Sequence, residues 1–316
     1  MINSVRNAVL AILNKNNYGY ISPSDFNLFA INAQMEIFED LFKDYNLAIN
    51  AENLRVSGTE YADTKKAIEE VMETFLTSKA LVKKANNSFY QPSVITTGGS
   101  AFMINKVTVY PSIISNGVST SAVVDELECS SADFITDGVA IGDIVSNTAT
   151  NSTTTVIGII SSTELNLADD IFALPGQVFY IYNSKVSSIA EKVSNVDIAR
   201  LNASNLTSPT TTYPSYTIIG DAITCYPNTI NTYGAVVADY FRYPKDPKWT
   251  YSTLSSGDPV FNQSQPDYQD FELPSDYEYL LVAKILSYCG ISIREVTAAQ
   301  YGIAKEQAAK QTFSIK

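Results

Sequence analysis

The chain has 316 residues, 45% of them apolar, which is enough for about two cores of ordinary size and excludes a wholly disordered protein. With 21 Lys and Arg against 33 Asp and Glu, its net charge of −12 argues against tight binding to DNA, RNA or anionic membrane, which need clustered cations. There is no histidine, so Ser-His-Asp and Cys-His activation and the commonest metal ligand are all missing.

The first 80 residues carry helical patterns. Asn3 or Ser4 is placed to cap an opening helix that buries Val5, Val9, Ile12 and Leu13 and ends at the Asn16-Asn17-Tyr18-Gly19 turn. The run Ala8 to Leu13 is too short for a signal h-region or a membrane span. Ser22 before Pro23, with Asp25 in the first turn, marks a stronger start. Phe26, Phe29, Ala30, Ala33, Ile37, Leu41 and Tyr45 give the buried stripe, and Glu36, Glu39, Asp40, Lys43 and Asp44 fall mostly on the other side. A third helix after Gly58, with Tyr61, Ile68, Val71, Met72 and Phe75, is expected to pair antiparallel with the second.

From Leu81 the pattern becomes short β runs broken by Gly, Pro, Ser and Asn. Ile104 to Tyr110, Ala222 to Tyr226 and Ala235 to Tyr243 read as strands, each halted by a Tyr-Pro pair because proline lacks the ladder donor. From Val107 to Ser184 there are 78 residues without a Lys or Arg and with nine carboxylates, while the other 238 residues hold 24 acidic and 21 basic side chains. That shift predicts a separate acidic insert. Ile141 to Val145, Thr154 to Ile160, Glu164 to Leu167 and Gln177 to Tyr182 are its strands, with Ser146 to Thr155 as a hairpin loop, in a small barrel or sandwich.

Helix returns after Pro274, where Ser275-Asp276-Tyr277-Glu278 has the form of a capping box and Gly290 is placed as a stop. Full burial of Leu280, Leu281, Ile285 and Leu286 would contribute roughly 6 to 12 kcal/mol before entropy is subtracted. A last Ala-rich helical stretch from about Arg294 to Gln311 has little to bury against its own domain, so a partner is expected to cover it.

The expected fold is therefore α+β: N- and C-terminal helices in a bundle, and a central antiparallel β domain carrying the inserted module. The expected domains are 1–80, a main β domain of 81–122 and 183–270, the acidic insert 123–182, and a C-terminal part 271–316 packed on the first.

For chemistry, Asp133, Asp137 and Asp143 are the carboxylates a glycosidase could use, but solvated turn residues beside Gly138 and Gly142 are the favoured reading. Their spacing is not that of an EF-hand, Asp169-Asp170 is only a pair, and Gly98-Gly99 lacks the rest of a phosphate loop. Cys129, Cys225 and Cys289 have no zinc spacing and read as buried reduced thiols, which suits a reducing cytoplasm. No catalytic, cofactor or metal residue is assigned, and an enzyme is not expected. The 20 Tyr and 14 Phe admit sugar stacking, but core and subunit-contact roles are favoured.

Several segments resemble head-to-tail connector proteins of tailed bacteriophages. Asn14 to Pro23 with Phe26-Asn27, and Ser57 to Tyr61, are similar to virion structural proteins of crAss-like podoviruses. Leu206 to Pro209, Tyr213 to Tyr216, Tyr226-Pro227, Tyr240 to Pro247 with Lys248-Trp249, and Phe271 to Pro274 resemble neck-ring or adaptor subunits. Ser131 to Phe134, Gly142-Asp143, Asp170 to Phe172 and Phe179 to Tyr182 resemble a small β module of phage virion proteins.

The resemblance implies a structural protein of the virion portal vertex, assembled in the bacterial cytoplasm as a ring of about twelve copies that binds the portal and neighbouring collar or tail rings, with genomic DNA passing through and no membrane partner. The alternative is a tail or fibre component that binds host-surface carbohydrate through the acidic insert.

Overall fold

A computed structural model describes residues 1–15, 21–53, 60–93, 96, 99–255, 257–292, 300, 302–305 and 307, with the backbone alone at 14–15, 51–53, 60–64 and 291–292. The protein is mixed α+β and divides into two compact units, one of Met1–Phe75 with Tyr243–Lys316 and one of Leu76–Arg242.

In the first unit, α1 (Ile2–Lys15) buries Val5, Val9 and Leu13, with Ile12 half-buried. Its cap is neither Asn3 nor Ser4. Asp270 accepts from the Ile2 amide at 2.7 Å, which frees Asn3 to take the Trp249 indole N–H at 3.1 Å and Ser4 to donate to Glu278. The expected turn at Asn16 to Gly19 lies outside the described residues.

The helix α2 (Pro23–Asn53) begins as expected, the Asp25 amide donating to the Ser22 hydroxyl at 3.1 Å. Phe26, Ala30, Ala33, Ile37 and Leu41 are buried, joined by Gln34 and Phe38, while Phe29 and Tyr45 are half-buried. The helix α3 (Glu60–Glu73) runs antiparallel to it, since Tyr45 meets Glu69 at 2.8 Å and Phe38 meets Phe75 edge-on at 5.1 Å between centroids.

Two short helices, α4 (Phe134–Asp137) and α5 (Asn195–Asn202), belong to the second unit, and α6 (Glu278–Ser292) belongs to the first. Before α6, the Ser275 to Glu278 capping box is replaced by a 3-10 turn over Ser275–Tyr277 with no side-chain cap, because the Glu278 carboxylate is taken by Ser4. Leu280, Leu281, Ile285 and Leu286 are buried as expected. Gly290 does not stop the helix: it is buried inside α6. Of the final helical stretch only 300, 302–305 and 307 are described, and it does find a partner in its own unit. A Cβ on Gly302 would lie 2.7 Å from the Ser287 amide nitrogen, so backbone meets backbone there.

Residues 243–270 sit in this unit rather than in the main β domain, and Trp249 is the reason. Its amide and carbonyl are bonded to the Asn27 side chain at 2.9 and 3.2 Å, the Arg6 guanidinium lies 3.8 Å from its ring centre, and it stacks on Tyr251 and Phe261 of the hairpin β15 (Tyr251–Thr253) and β16 (Pro259–Phe261).

The second unit holds two curled half-barrel sheets. The first orders β1 (Leu76–Ala80), β14 (Val236–Arg242), β4 (Ala101–Val109), β11 (Ser188–Lys192), β12 (Ser215–Ile219), β13 (Ala222–Tyr226), β3 (Ser88–Tyr90) and β2 (Lys83–Ala85). It starts at Leu76, before the expected Leu81, and it is not wholly antiparallel. The β11 and β12 strands pair in parallel, joined by a crossover that contains α5.

The second sheet orders β5 (Ile113–Val118), β10 (Val178–Tyr182), β7 (Ile144–Asn147), β8 (Ser152–Ser161), β9 (Glu164–Leu167) and β6 (Glu126–Glu128). The acidic sheet therefore begins at Ile113, not 123, because β5 pairs with β10. The hairpin between β7 and β8 is confined to 148–151, and the rest of the Ser146 to Thr155 run is paired strand. A core of Leu127, Phe134, Val145, Leu165, Phe172 and Phe179, among others, fills this sheet. Tyr182 instead joins the core of the first sheet and donates its hydroxyl to the Tyr233 carbonyl.

Candidate interaction surfaces

Of the carboxylates that could have served catalysis or calcium, Asp133, Asp143, Asp169 and Asp170 are occupied locally. Asp133 caps α4: its Oδ1 accepts from the Thr136 amide at 3.2 Å and its Oδ2 from the Thr136 hydroxyl at 2.8 Å, which holds its carboxyl below the ordinary value. Asp137 is exposed in the last turn of that helix, before Gly138 at φ +83°. Asp143 is not solvated as expected but buried, because it accepts from the Ala140 amide at 2.8 Å and from the Ser184 amide and hydroxyl at 3.1 and 3.2 Å, tying the start of β7 to the end of β10. Asp169 takes the Thr154 hydroxyl and Asp170 the Phe172 amide, 3.2 and 3.3 Å away. The three candidates are turn and staple residues, and among the described residues no group of three or more His, Cys, Asp or Glu could hold a metal.

The remaining acids make a face. Glu128 and Glu164 are directly opposed across β6 and β9, and Glu126 stands opposite Asn166 one step along the same side. Directly opposed like charges cost about 0.2–1 kcal/mol, and residues 107–184 supply no cation to offset it. Beside them, β8 is bulged twice, around Ile157 and around Ile160, and both isoleucines are exposed. Charge on the β6 edge also discourages blind edge-to-edge pairing.

A second surface lies in the helical unit. A groove of about 660 Å³ between α1 and α6 is lined by the apolar Ala8, Ile12, Val282 and Leu286, by Asp276, Glu278 and Tyr279, and by Lys305. Under it, Lys284 is 1% exposed and is held by Glu36 at 2.8 Å and Asp40 at 3.5 Å on α2. The sequence reading missed this lysine inside its apolar run.

A third feature is the loop after α5. That helix went unpredicted, although Ser194-Asn195-Val196-Asp197 is a cap signature: the Asp197 amide donates to the Ser194 hydroxyl at 3.1 Å. Beyond it Leu206 is 97% exposed and Tyr213 is 79% exposed.

Cys129, Cys225 and Cys289 are buried free thiols, and burial pushes Cys225 and Cys289 up to about 12. Among the described residues no helix is long and apolar enough to cross a membrane. Neither a protein-family profile nor a curated protein matches the chain.

Proposed function

We propose that the chain is a non-enzymatic structural subunit of a tailed-phage virion, forming the ring that extends the portal channel and joins capsid to tail. Within it, α1, α2, α3 and α6 act as the terminal helical bundle and residues 113–182 as an inserted β module. The partners are further copies of itself, in a ring of about twelve, the portal, and the next collar or tail ring. DNA passes the acidic surface without being held, since carboxylates repel phosphate.

The observation that carries this reading is the use made of the carboxylates. Asp133, Asp143, Asp169 and Asp170 are spent on backbone and hydroxyl donors, while Glu126, Glu128 and Glu164 line a face beside exposed Ile157 and Ile160. Such a face suits contact and repulsion rather than turnover. The carbohydrate-binding alternative draws no support from Trp249, the sole tryptophan, because it is buried.

Electron microscopy and light scattering of the purified chain, alone and with the portal of its virus, test the reading. Closed rings or portal-capped rings are expected. Monomers at every concentration that ignore the portal would overturn it.

A further inference from the structure

We propose that the open edge of β15 pairs antiparallel with β15 of a second copy of this chain, about a two-fold axis at Ser252. The contact goes beyond the ring-subunit reading above and does not depend on it. Within the hairpin, the Asn262 amide donates to the Thr250 carbonyl at 2.9 Å and the Leu254 amide to the Asp258 carbonyl at 3.0 Å, with Ser252 opposite Val260 between them. Bonding between antiparallel strands alternates, so Thr250, Ser252 and Leu254 turn their backbone groups toward β16, and Tyr251 and Thr253 turn theirs away. Among the described residues no hydrogen-bond partner meets the Tyr251 and Thr253 backbone, and Tyr251, Ser252, Thr253 and Leu254 are all exposed.

This edge is complementary to itself. A two-fold axis at Ser252 sets Tyr251 of each copy opposite Thr253 of the other, and each such pair exchanges two backbone bonds. Tyr opposite Thr is also a favourable cross-strand pair. Other edges are guarded against meeting their own copies, by Lys79 on β1, Lys83 and Lys84 on β2, Glu126 and Glu128 on β6, and Pro259 on β16, which lacks a donor. The β5 strand is uncharged, but its sheet curls so that Thr120, just beyond it, donates to the Glu128 carbonyl of β6 at 2.8 Å. From Trp249 to Gly257 no residue is charged, so two copies of β15 meet without repulsion. Pairing turns two hairpins, each marginal as a two-stranded sheet, into one sheet of four strands. Tyr251 and Phe261 stack on Trp249, so the hairpin is held in place beforehand and loses little freedom on docking. One short strand falls well below the roughly 800 Å² per partner of a stable interface, so the product is a weak dimer. Such a contact closes on itself and recruits no third copy.

Ser252→Cys in the full chain tests this under mild oxidation, with background kept low because Cys129, Cys225 and Cys289 are buried. A disulfide-linked dimer is expected, since the axis brings the two 252 side chains together across a non-hydrogen-bonded pair. Val260→Cys, exposed on the same face one strand away, is expected to give none. Ser252→Lys and Ser252→Glu each set like charges across the axis and are expected to weaken self-association in sedimentation at least about tenfold. An equimolar mixture of the two sets opposite charges there and is expected to restore it, which misfolding of either variant would not allow. Equal cross-linking from positions 252 and 260, or a mixture that associates no better than either variant alone, would overturn the pairing and leave the ring reading standing. Ser252→Cys shielded from a thiol reagent only when the portal is added would give the edge a different occupant and equally overturn it.

Discussion

The backbone amide of Asn183 donates to the carbonyl of Ser112 at 3.2 Å, so the chain leaves the acidic sheet where it entered it. A segment with such adjacent ends can be shortened without stretching the strands on either side. What it cannot lose freely is Tyr182, the last residue of β10, which lies in the core of the first sheet and donates to Tyr233. Replacing 113–181 by a short Gly-Ser linker is expected to leave a folded protein with the eight-stranded sheet intact by far-UV circular dichroism. In the full chain, Tyr182→Ala is expected to cost about 3–5 kcal/mol in urea titrations, and Tyr182→Phe about 1–2, the worth of the hydroxyl bond and the carbonyl left unpaired.

Gly234 has φ +75°, and a Cβ there would run into the side chain of Ser146 on β7. Gly234→Ala combines left-handed strain with overpacking where the two sheets meet and is expected to destabilise by about 2–4 kcal/mol. Adding Ser146→Gly removes the collision but not the backbone strain. Thermal melts of the single and double variants should therefore show partial rescue, a coupling of about 1 kcal/mol or more. Simple additivity would mean that Ser146 moves aside at no cost.

Much of the architecture was legible because local pattern and tertiary packing agree. The Ser22 cap, the α2 stripe and the strands Ala222–Tyr226 and Glu164–Leu167 follow directly from periodicity. The rest depended on distant partners. Ser188–Lys192 is polar with only Ala190 buried, so β11 gives no alternating signal and is a strand because β4 and β12 flank it. Ile113–Val118 belongs to the acidic sheet because of β10, about sixty residues on, and nothing in its own composition tells it from the main sheet. Asp270 caps α1 from the far end of the chain, where no local capping rule looks for it. The turn roles of Asp133 and Asp143 were readable from their glycine neighbours, but the Glu128–Glu164 opposition needed the register.

Lys284 places a buried cation between the Glu36 and Asp40 carboxylates, both of which keep some contact with water. Such pairs often break even, because desolvating the ammonium offsets much of the attraction. Lys284→Met keeps the length of the side chain and removes the charge, and is expected to shift stability by less than about 1 kcal/mol in either direction. Lys284→Ala leaves a void and is expected to cost about 2–4 kcal/mol. Equal, large losses in both variants by denaturant titration would show that charge, not volume, holds α6 on α2.

Asp270 contributes to the acid sensitivity of the helical unit. Partial burial by itself raises its pKa, but hydrogen bonds from the Met1 amino group and from the Ile2 and Phe271 amides outweigh that and leave it below the ordinary value of 3.8. A carboxyl depressed by folding contributes stability that is present above its unfolded pKa and is lost as pH falls through the lower, folded value. Asp270→Asn is therefore expected to cost about 1 kcal/mol at pH 7, as for loss of a helix cap, and to converge on the parent protein as the pH falls through that lowered value. Trp249, buried on α1 and the sole tryptophan, reports the unfolding of this unit by its fluorescence. Asp133, Asp221 and Asp267 are also held below their ordinary values, so the parent protein loses stability in acid for several reasons. Only the difference between parent and variant isolates Asp270, and a difference that stays constant from pH 7 to pH 2.5 would mean that the cap acts through geometry and not through charge.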